Sequence, residues 1–474
     1  MAGPRTAEDE RLEQDAARTH NWKRWGVYLP ERQWGTVRED SSPDLDVWRY
    51  FSHDHARSRA YRWGEDGLLG LCDRQGRLCF ALALWNERDA ILKERLFGLA
   101  NHEGNHGEDV KELYFYRDAT PTCSFARATY LYPHAAYPYE ALVAEAQARG
   151  RDEPELEVDE LGLFEGGRYF EITVTYAKAS PDDIVIEVHA ENRGPVAAPL
   201  HLLPTVWFRN TWGWGRTGES YWPRPEIRSD APGSLVAHHP TLPTMSLTAE
   251  AAPEAVLFTD NETNTERLYG VPNAHPFTKD AFHRRVVDGD VRAVRAEPHG
   301  TKAAFWYRRV LGAGESVTLR LRLRSTSSPA ADATATLAAR EQEANAFYAA
   351  HLPEGATDEE RRIARTAYAG LLWTKQFYHL VADHWLEGDP AHPPPPEVRK
   401  GQHHRDWRHL YSRDVLSVPD KWEYPWFAAW DLAFHMLPMA RIDAHFAKEQ
   451  LLLLLREWYM HPNGHIPAYE FAFG

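Results

Sequence analysis

Apolar and polar positions alternate with period two through much of the chain from about residue 60 to 325, and helical spacing takes over afterwards. Ser316 to Arg324 (SVTLRLRLR) is the clearest stretch, with Val317, Leu319, Leu321 and Leu323 on one face and Thr318 and three arginines on the other. Tyr169 to Tyr176 and Ile184 to Val188 alternate in the same way, separated by the turn signal Ser180-Pro181-Asp182-Asp183. Leu78 to Trp85 is a short apolar run after the turn-like Asp73-Arg74-Gln75-Gly76. Many such segments, broken by Gly and Pro, predict a large antiparallel β-sandwich rather than βαβ units.

The rhythm changes after Ser325. Ser327 to Ala350 is rich in Ala and has no Gly or Pro past Pro329, which predicts a helix running between two domains. Pro353-Glu354-Gly355 stops it. Thr357 with Glu360 forms a capping box that opens a second helix, carrying Ile363, Ala367, Leu371 and Leu372 and continuing through Trp373, Phe377 and Val381. Pro393 to Pro396 reads as a rigid spacer. Further helices are expected around Ala428 to Ala440 and Phe446 to Tyr459. The predicted organisation is therefore a β half over residues 1–325 (1–20 poorly ordered), a helical linker over 326–356 and an all-α half over 357–474.

A chain of 474 residues is too long for one ordinary domain, and a hydrophobic content of 43% with 26% charged residues is that of a folded globular protein. The net charge of −15 argues against a nucleic-acid partner, which requires a basic surface. Cys72, Cys79 and Cys123 are odd in number and show no CxxC spacing, so neither a disulfide framework nor a zinc knuckle is indicated. Ala2 to Arg18 is charged and lacks the apolar core of a secretory signal. No apolar run reaches the ~18 residues of a membrane span. These features predict a cytoplasmic protein without a membrane partner. The 18 Trp and 21 Tyr fit two readings equally, sugar-facing surfaces or a large aromatic core.

Several motifs carry little. Gly213 to Gly218 matches GxGxxG, but Pro223 and Pro225 forbid the helix that a dinucleotide site needs, so a Trp-rich loop is expected. His102 to Asp109 (HEGNHGED) contains two glycines that argue against an HExxH helix, and no transition-metal site is expected there. Calcium, through Glu108, Asp109 or Glu112, is the one candidate cofactor. No GxSxG elbow and no Walker A pattern occurs. Asn261-Glu262-Thr263 is a sequon that reads as an ordinary loop.

Residues 420–435 concentrate the chemistry. Trp422, Tyr424, Trp426 and Trp430 crowd a loop and the start of a helix, with the carboxylate of Asp431 among them. Aromatics stack on a pyranose ring and exclude water, which raises a nearby carboxyl pKa and lets it protonate a glycosidic oxygen. Pro425 ends the loop, so Asp431 is expected within the first two helical turns, with Phe427 and His435 beside it at helical spacing. A buried helix N-terminus, with Asp431 paired to an arginine or acting as a cap, accounts for the same residues equally well.

A resemblance weighs between them. The chain is similar to bacterial glucosidases related to glycoside hydrolase family 63, through Arg57 to Gly67 (RSRAYRWGEDG), Gly104 to Glu112 (GNHGEDVKE), Leu202 to Trp212 (LLPTVWFRNTW) and Pro419 to His435. The resemblance implies an N-terminal β-supersandwich, a linker and an (α/α)6 barrel. It also implies an inverting, exo-acting α-glucosidase that takes an oligosaccharide or glucoside, with Asp431 in the position of the general acid. The general base implied by the family is a Glu late in the barrel. Residues from Thr357 onward amount to at most a third to a half of the roughly 200 residues that twelve helices and their loops need. The expectation is thus a truncated catalytic domain, with the base beyond residue 474 and the fragment inactive and poorly soluble.

Glu470, flanked by Tyr469 and Phe471, is expected to bind substrate rather than act as base, although a solvated loop Glu fits as well. Trp373 and Gln376, placed on the capped helix, are weaker candidates for the cleft wall; a core Trp and a solvated Gln are the simpler reading. The Arg32 to Asp40 stretch is a candidate to reach the cleft from the β half. Two alternatives stay open, a carbohydrate-binding protein without catalysis and a sugar phosphorylase of the same barrel class.

Overall fold

The computed structural model describes residues 5–33, 51–100, 109–150, 152–328, 331–401 and 403–466. The alternating segments form two antiparallel sheets. One has six strands in the order Trp25–Gly26, Leu68–Asp73, Leu78–Trp85, Ala198–Phe208, Lys302–Leu311 and Ala255–Thr259. The other has nine, among them Ser316–Ser325, Asp183–Asn192, Tyr169–Ser180, Phe125–Pro133 and Tyr114–Ala119 side by side. Their inner faces share one core, as where Phe80 meets Tyr176 edge-on and the Tyr176 hydroxyl donates to the Leu69 carbonyl at 2.7 Å.

The period-two reading holds in detail. Leu319, Leu321 and Leu323 are buried, while Arg320 and Arg322 reach across to Glu187 and Asp183 on the paired strand. The Ser180 to Asp183 turn joins two neighbouring strands as a hairpin. The GxGxxG segment is a loop.

Helix Ala333–His351 follows the sandwich and lies on it, its Tyr348 hydroxyl donating to the Ala119 carbonyl at 2.6 Å. Helix Asp358–Trp373 opens with the expected capping box between Thr357 and Glu360. It ends at Trp373, earlier than its apolar spacing suggests. Lys375–Val381 is a buried strand paired with Tyr411–Ser417, so the predicted helical continuation through Phe377 and Val381 is corrected. The run Gln-Phe-Tyr-His-Leu-Val is aromatic and β-branched, and a partner strand distant in sequence captures it. The second half is therefore not all helical. Helices Ala429–Ile442 and Ala444–Leu454 close the described chain. No helix among the described residues is long and apolar enough to cross a membrane.

Candidate functional site

The loop that leads to Asp431 is fixed at its base by the β half. Asp420 folds it over, its Oδ1 accepting from the backbone N–H groups of Trp422 (2.6 Å) and Glu423 (2.7 Å). The turn sends Lys421 inward, where its Nζ donates to the carbonyls of Val27 and Leu29 (3.0 Å for the latter). Buried with it is Glu31, whose Oε2 accepts from Leu69 N–H at 3.1 Å. Burial pushes the Glu31 carboxyl up to about 8, with Lys421 opposing, and burial pulls the Lys421 ammonium down to about 8, with Glu31 opposing.

Trp422 is the next anchor and is only 2% exposed. The Arg32 guanidinium lies over its ring at 3.8 Å, and Arg32 Nε donates to the Trp422 carbonyl at 2.8 Å. The far edge of the indole rests on Gly98, where any side chain would collide with the ring. Of the Arg32 to Asp40 stretch, Arg32 meets the buried Trp422, and residues 34–40 lie outside the described residues.

Beyond Trp422 the loop becomes progressively exposed. Trp426 is buried and meets Tyr424 edge-on at 5.2 Å, while Tyr424 itself is 44% exposed. The Pro425 carbonyl accepts from Gln376 Nε2 at 2.9 Å. Gln376 sits on the buried strand rather than on the capped helix, and its place is inside rather than in solvent. Its position steadies the loop from beneath. Trp373 is a core residue, stacked on Tyr116 at 4.9 Å and donating from Nε1 to the Asp118 carbonyl at 3.1 Å.

Asp431 lies in the first turn of helix Ala429–Ile442, partly buried, as its distance from Pro425 leads one to expect. Ala428 provides no side-chain cap, so the helix dipole at this end acts on the Asp431 carboxylate. One turn on, His435 Nδ1 lies 2.8 Å from Ser417 Oγ. Burial lowers the His435 pKa and the Asp431 charge opposes that shift, which ties the two residues electrostatically. Trp430 projects outward, 62% exposed, with its ring edge-on to Phe434 at 5.8 Å. Glu470 lies outside the described residues.

The structure thus gathers Asp431, His435, Trp430 and Phe434 on one helix and Tyr424 on the loop that leads into it, and leaves Trp422, Trp426, Gln376 and Trp373 as buried support. Sequence reasoning missed the Glu31–Lys421 pair. Its signal, two charged residues some 390 positions apart with Arg32 and Trp422 next to them, exists only in the fold.

Of the residues considered for calcium, Glu108 lies outside the described residues, and the other two separate. Glu112 is buried against Lys93 at 2.7 Å and Tyr130, whereas Asp109 joins Glu155 and Glu157. These three also converge on the Lys111 ammonium, which lies 3.1 Å from Glu155. Asn261 of the sequon is buried, its Nδ2 donating to Glu65 at 2.7 Å and to the Phe208 carbonyl at 3.0 Å.

No family model matches the chain. An uncharacterized protein of Saccharomyces cerevisiae is 41% identical over 513 aligned positions, covering 99% of this chain and 47% of that protein. The chain spans about half the length of the curated relative it matches. Among solved structures, a putative kojibiose phosphorylase from the human microbiome aligns with TM-score 0.24 and 8% identity, over 78% of this chain and 42% of that one. A polysaccharide lyase aligns with TM-score 0.23 and 12% identity, over 54% and 26%. A putative aldose 1-epimerase from Escherichia coli aligns with TM-score 0.20 and 8% identity, over 42% and 64%. Superpositions this loose carry no argument about fold or activity.

Proposed function

We propose that this chain belongs to a sugar-processing enzyme, an inverting exo-acting α-glucosidase in which Asp431 is the general acid. The observation that supports this reading best is a half-buried carboxylate in the first turn of a helix, next in sequence to the exposed Trp430, with the exposed Tyr424 on the loop that leads into that helix. An exposed indole or phenol face suits the CH face of a pyranose. A sugar stacked there covers Asp431, strips water from it and raises its proton affinity, which is what a proton donor to a glycosidic oxygen requires. The helices from residue 357 onward are, in this reading, the first part of an (α/α)6 barrel.

An inverting mechanism needs a second carboxylate ~6.5–9.5 Å away to activate water. In the family that the chain resembles that residue is a Glu late in the barrel, and we assign the role to no residue of this chain. A second reading is sugar binding with no catalysis at all. It is favoured by the placement of Asp431 in the first turn of a helix, where acidic side chains commonly serve a structural role.

The test is hydrolysis of nitrophenyl α-glucoside by a protein of the relative's full length, with and without phosphate, beside Asp431→Asn. A fall of about 10²–10⁴-fold in the variant supports the general acid. Binding with no turnover in either protein favours the second reading, and strict dependence on phosphate makes the enzyme a phosphorylase.

A further inference from the structure

Three segments of the β half and one strand of the second half meet around a cleft of about 420 Å³. Its polar lining comes from Arg24, Arg74, Arg77 and Arg413 together with Asp414 and the uncharged Asn21, Gln75 and Thr241. Four guanidiniums stand around one concavity, and four carboxylates, Asp73, Asp182, Glu219 and Asp414, lie on or behind its wall.

Three of these arginines are held in place from behind. Arg24 pairs with Asp182. Arg77 donates to Asp73 at 3.0 Å and to Thr241 Oγ1 at 2.8 Å. Arg413 donates to Ser220 Oγ at 2.7 Å and pairs with Glu219. A guanidinium has five N–H donors, so each keeps some for a ligand. Asp414 turns part of its charge away, accepting from the Tyr459 hydroxyl at 3.3 Å. Arg74 differs from the others. It is exposed at the turn between two strands, and its side chain has neither an ion pair nor a hydrogen bond among the described residues.

We infer that this cleft binds a phosphate group, with Arg74 as the guanidinium that no carboxylate of the cleft contacts. Planar guanidinium forks match tetrahedral oxyanions better than a point charge does. Asn21, Thr241 and Asp414 beside the forks suit the hydroxyls of a sugar that carries the phosphate. The inference does not depend on the Asp431 reading, because binding here is measured without turnover.

Isothermal titration with inorganic phosphate, glucose 6-phosphate and glucose, at low and high salt, tests it on the whole chain. Either phosphate compound is expected to bind, more weakly as salt rises. Arg74→Glu is expected to weaken that binding at least about tenfold, the loss of one charge-assisted contact. Tighter binding of glucose 6-phosphate than of inorganic phosphate identifies a phosphorylated sugar as the source, and equal affinity identifies free phosphate. Arg74 has no side-chain partner to lose, so the variant should melt like the parent, and Arg74→Gln provides a neutral control. Absence of heat with both phosphate compounds, or equal affinity in parent and Arg74→Glu, overturns the inference.

Discussion

Trp422 and Trp430 belong to one aromatic run and stand in opposite surroundings. Trp422 is wedged between Arg32 and Gly98 and almost fully buried, whereas Trp430 offers most of its indole to solvent. The same contrast runs through the charged groups nearby. Asp443, just past the Asp431 helix, is buried between Lys23 and Lys375, while Asp431 at its start is half exposed. The difference separates two jobs that one stretch of sequence performs. One end welds the helical half to the sandwich, and the other end displays a carboxylate and aromatic faces from that rigid base.

The largest effect should come from the welded end. Asp443→Asn leaves the buried Lys375 and the partly buried Lys23 without their counter-charge, and chemical denaturation should show a loss of about 3–5 kcal/mol. Burial alone would raise the Asp443 pKa, but Lys23 and Lys375 outweigh it and hold the group below its ordinary value of 3.8. Its contribution to stability is therefore present above pH 3.8 and fades as pH falls through the lower folded value. Acid unfolding of the parent should show this dependence, and the variant should lack it.

Trp422→Ala should cost about 3–5 kcal/mol, because a packed indole and its cation partner are both lost. Trp430→Ala should change stability by no more than about 0.5 kcal/mol, as an exposed side chain does. Equal melting temperatures for the two variants would erase the distinction drawn above.

A smaller effect concerns His435. Its pKa is lowered by burial, so the imidazole stays neutral below the ordinary 6.5; its contribution to stability is full above 6.5 and is lost progressively as pH falls from there through the lower folded value. Asp431 opposes that shift. Asp431→Asn should therefore move the His435 titration, followed by nuclear magnetic resonance, to still lower pH. A shift in the other direction would mean that the two residues do not sense each other.

Trp430, Phe434 and Leu437 recur at helical spacing and are all more than half exposed, with Leu452 and Leu455 also open on the next helix. Such a ridge should drive weak self-association at high concentration. Leu437→Glu should reduce it in sedimentation velocity, and identical profiles for parent and variant would count against this.

The sequence made the strands legible because each buries one face, so alternation maps directly onto the core, as at Leu319, Leu321 and Leu323. The capping box at Thr357 and the position of Asp431 in its helix were equally local and equally readable. The strand Lys375–Val381 was not, since a short apolar run fits a helix or a strand until its partner is known. Nor was the sorting of the aromatics. Tryptophans look alike in sequence, and only contacts with distant residues such as Arg32, Gly98 and Gln376 decide which are anchors and which are displayed.

The central claim is that the displayed end, and not the buried end, meets sugar. The direct measurement is a titration of the chain with maltooligosaccharides, followed by intrinsic tryptophan fluorescence, in the parent and in Trp430→Ala. A saturable change in emission that disappears in Trp430→Ala, with the melting temperature unchanged, is the predicted result. No saturable change in the parent, or the same binding curve in both proteins, would contradict it.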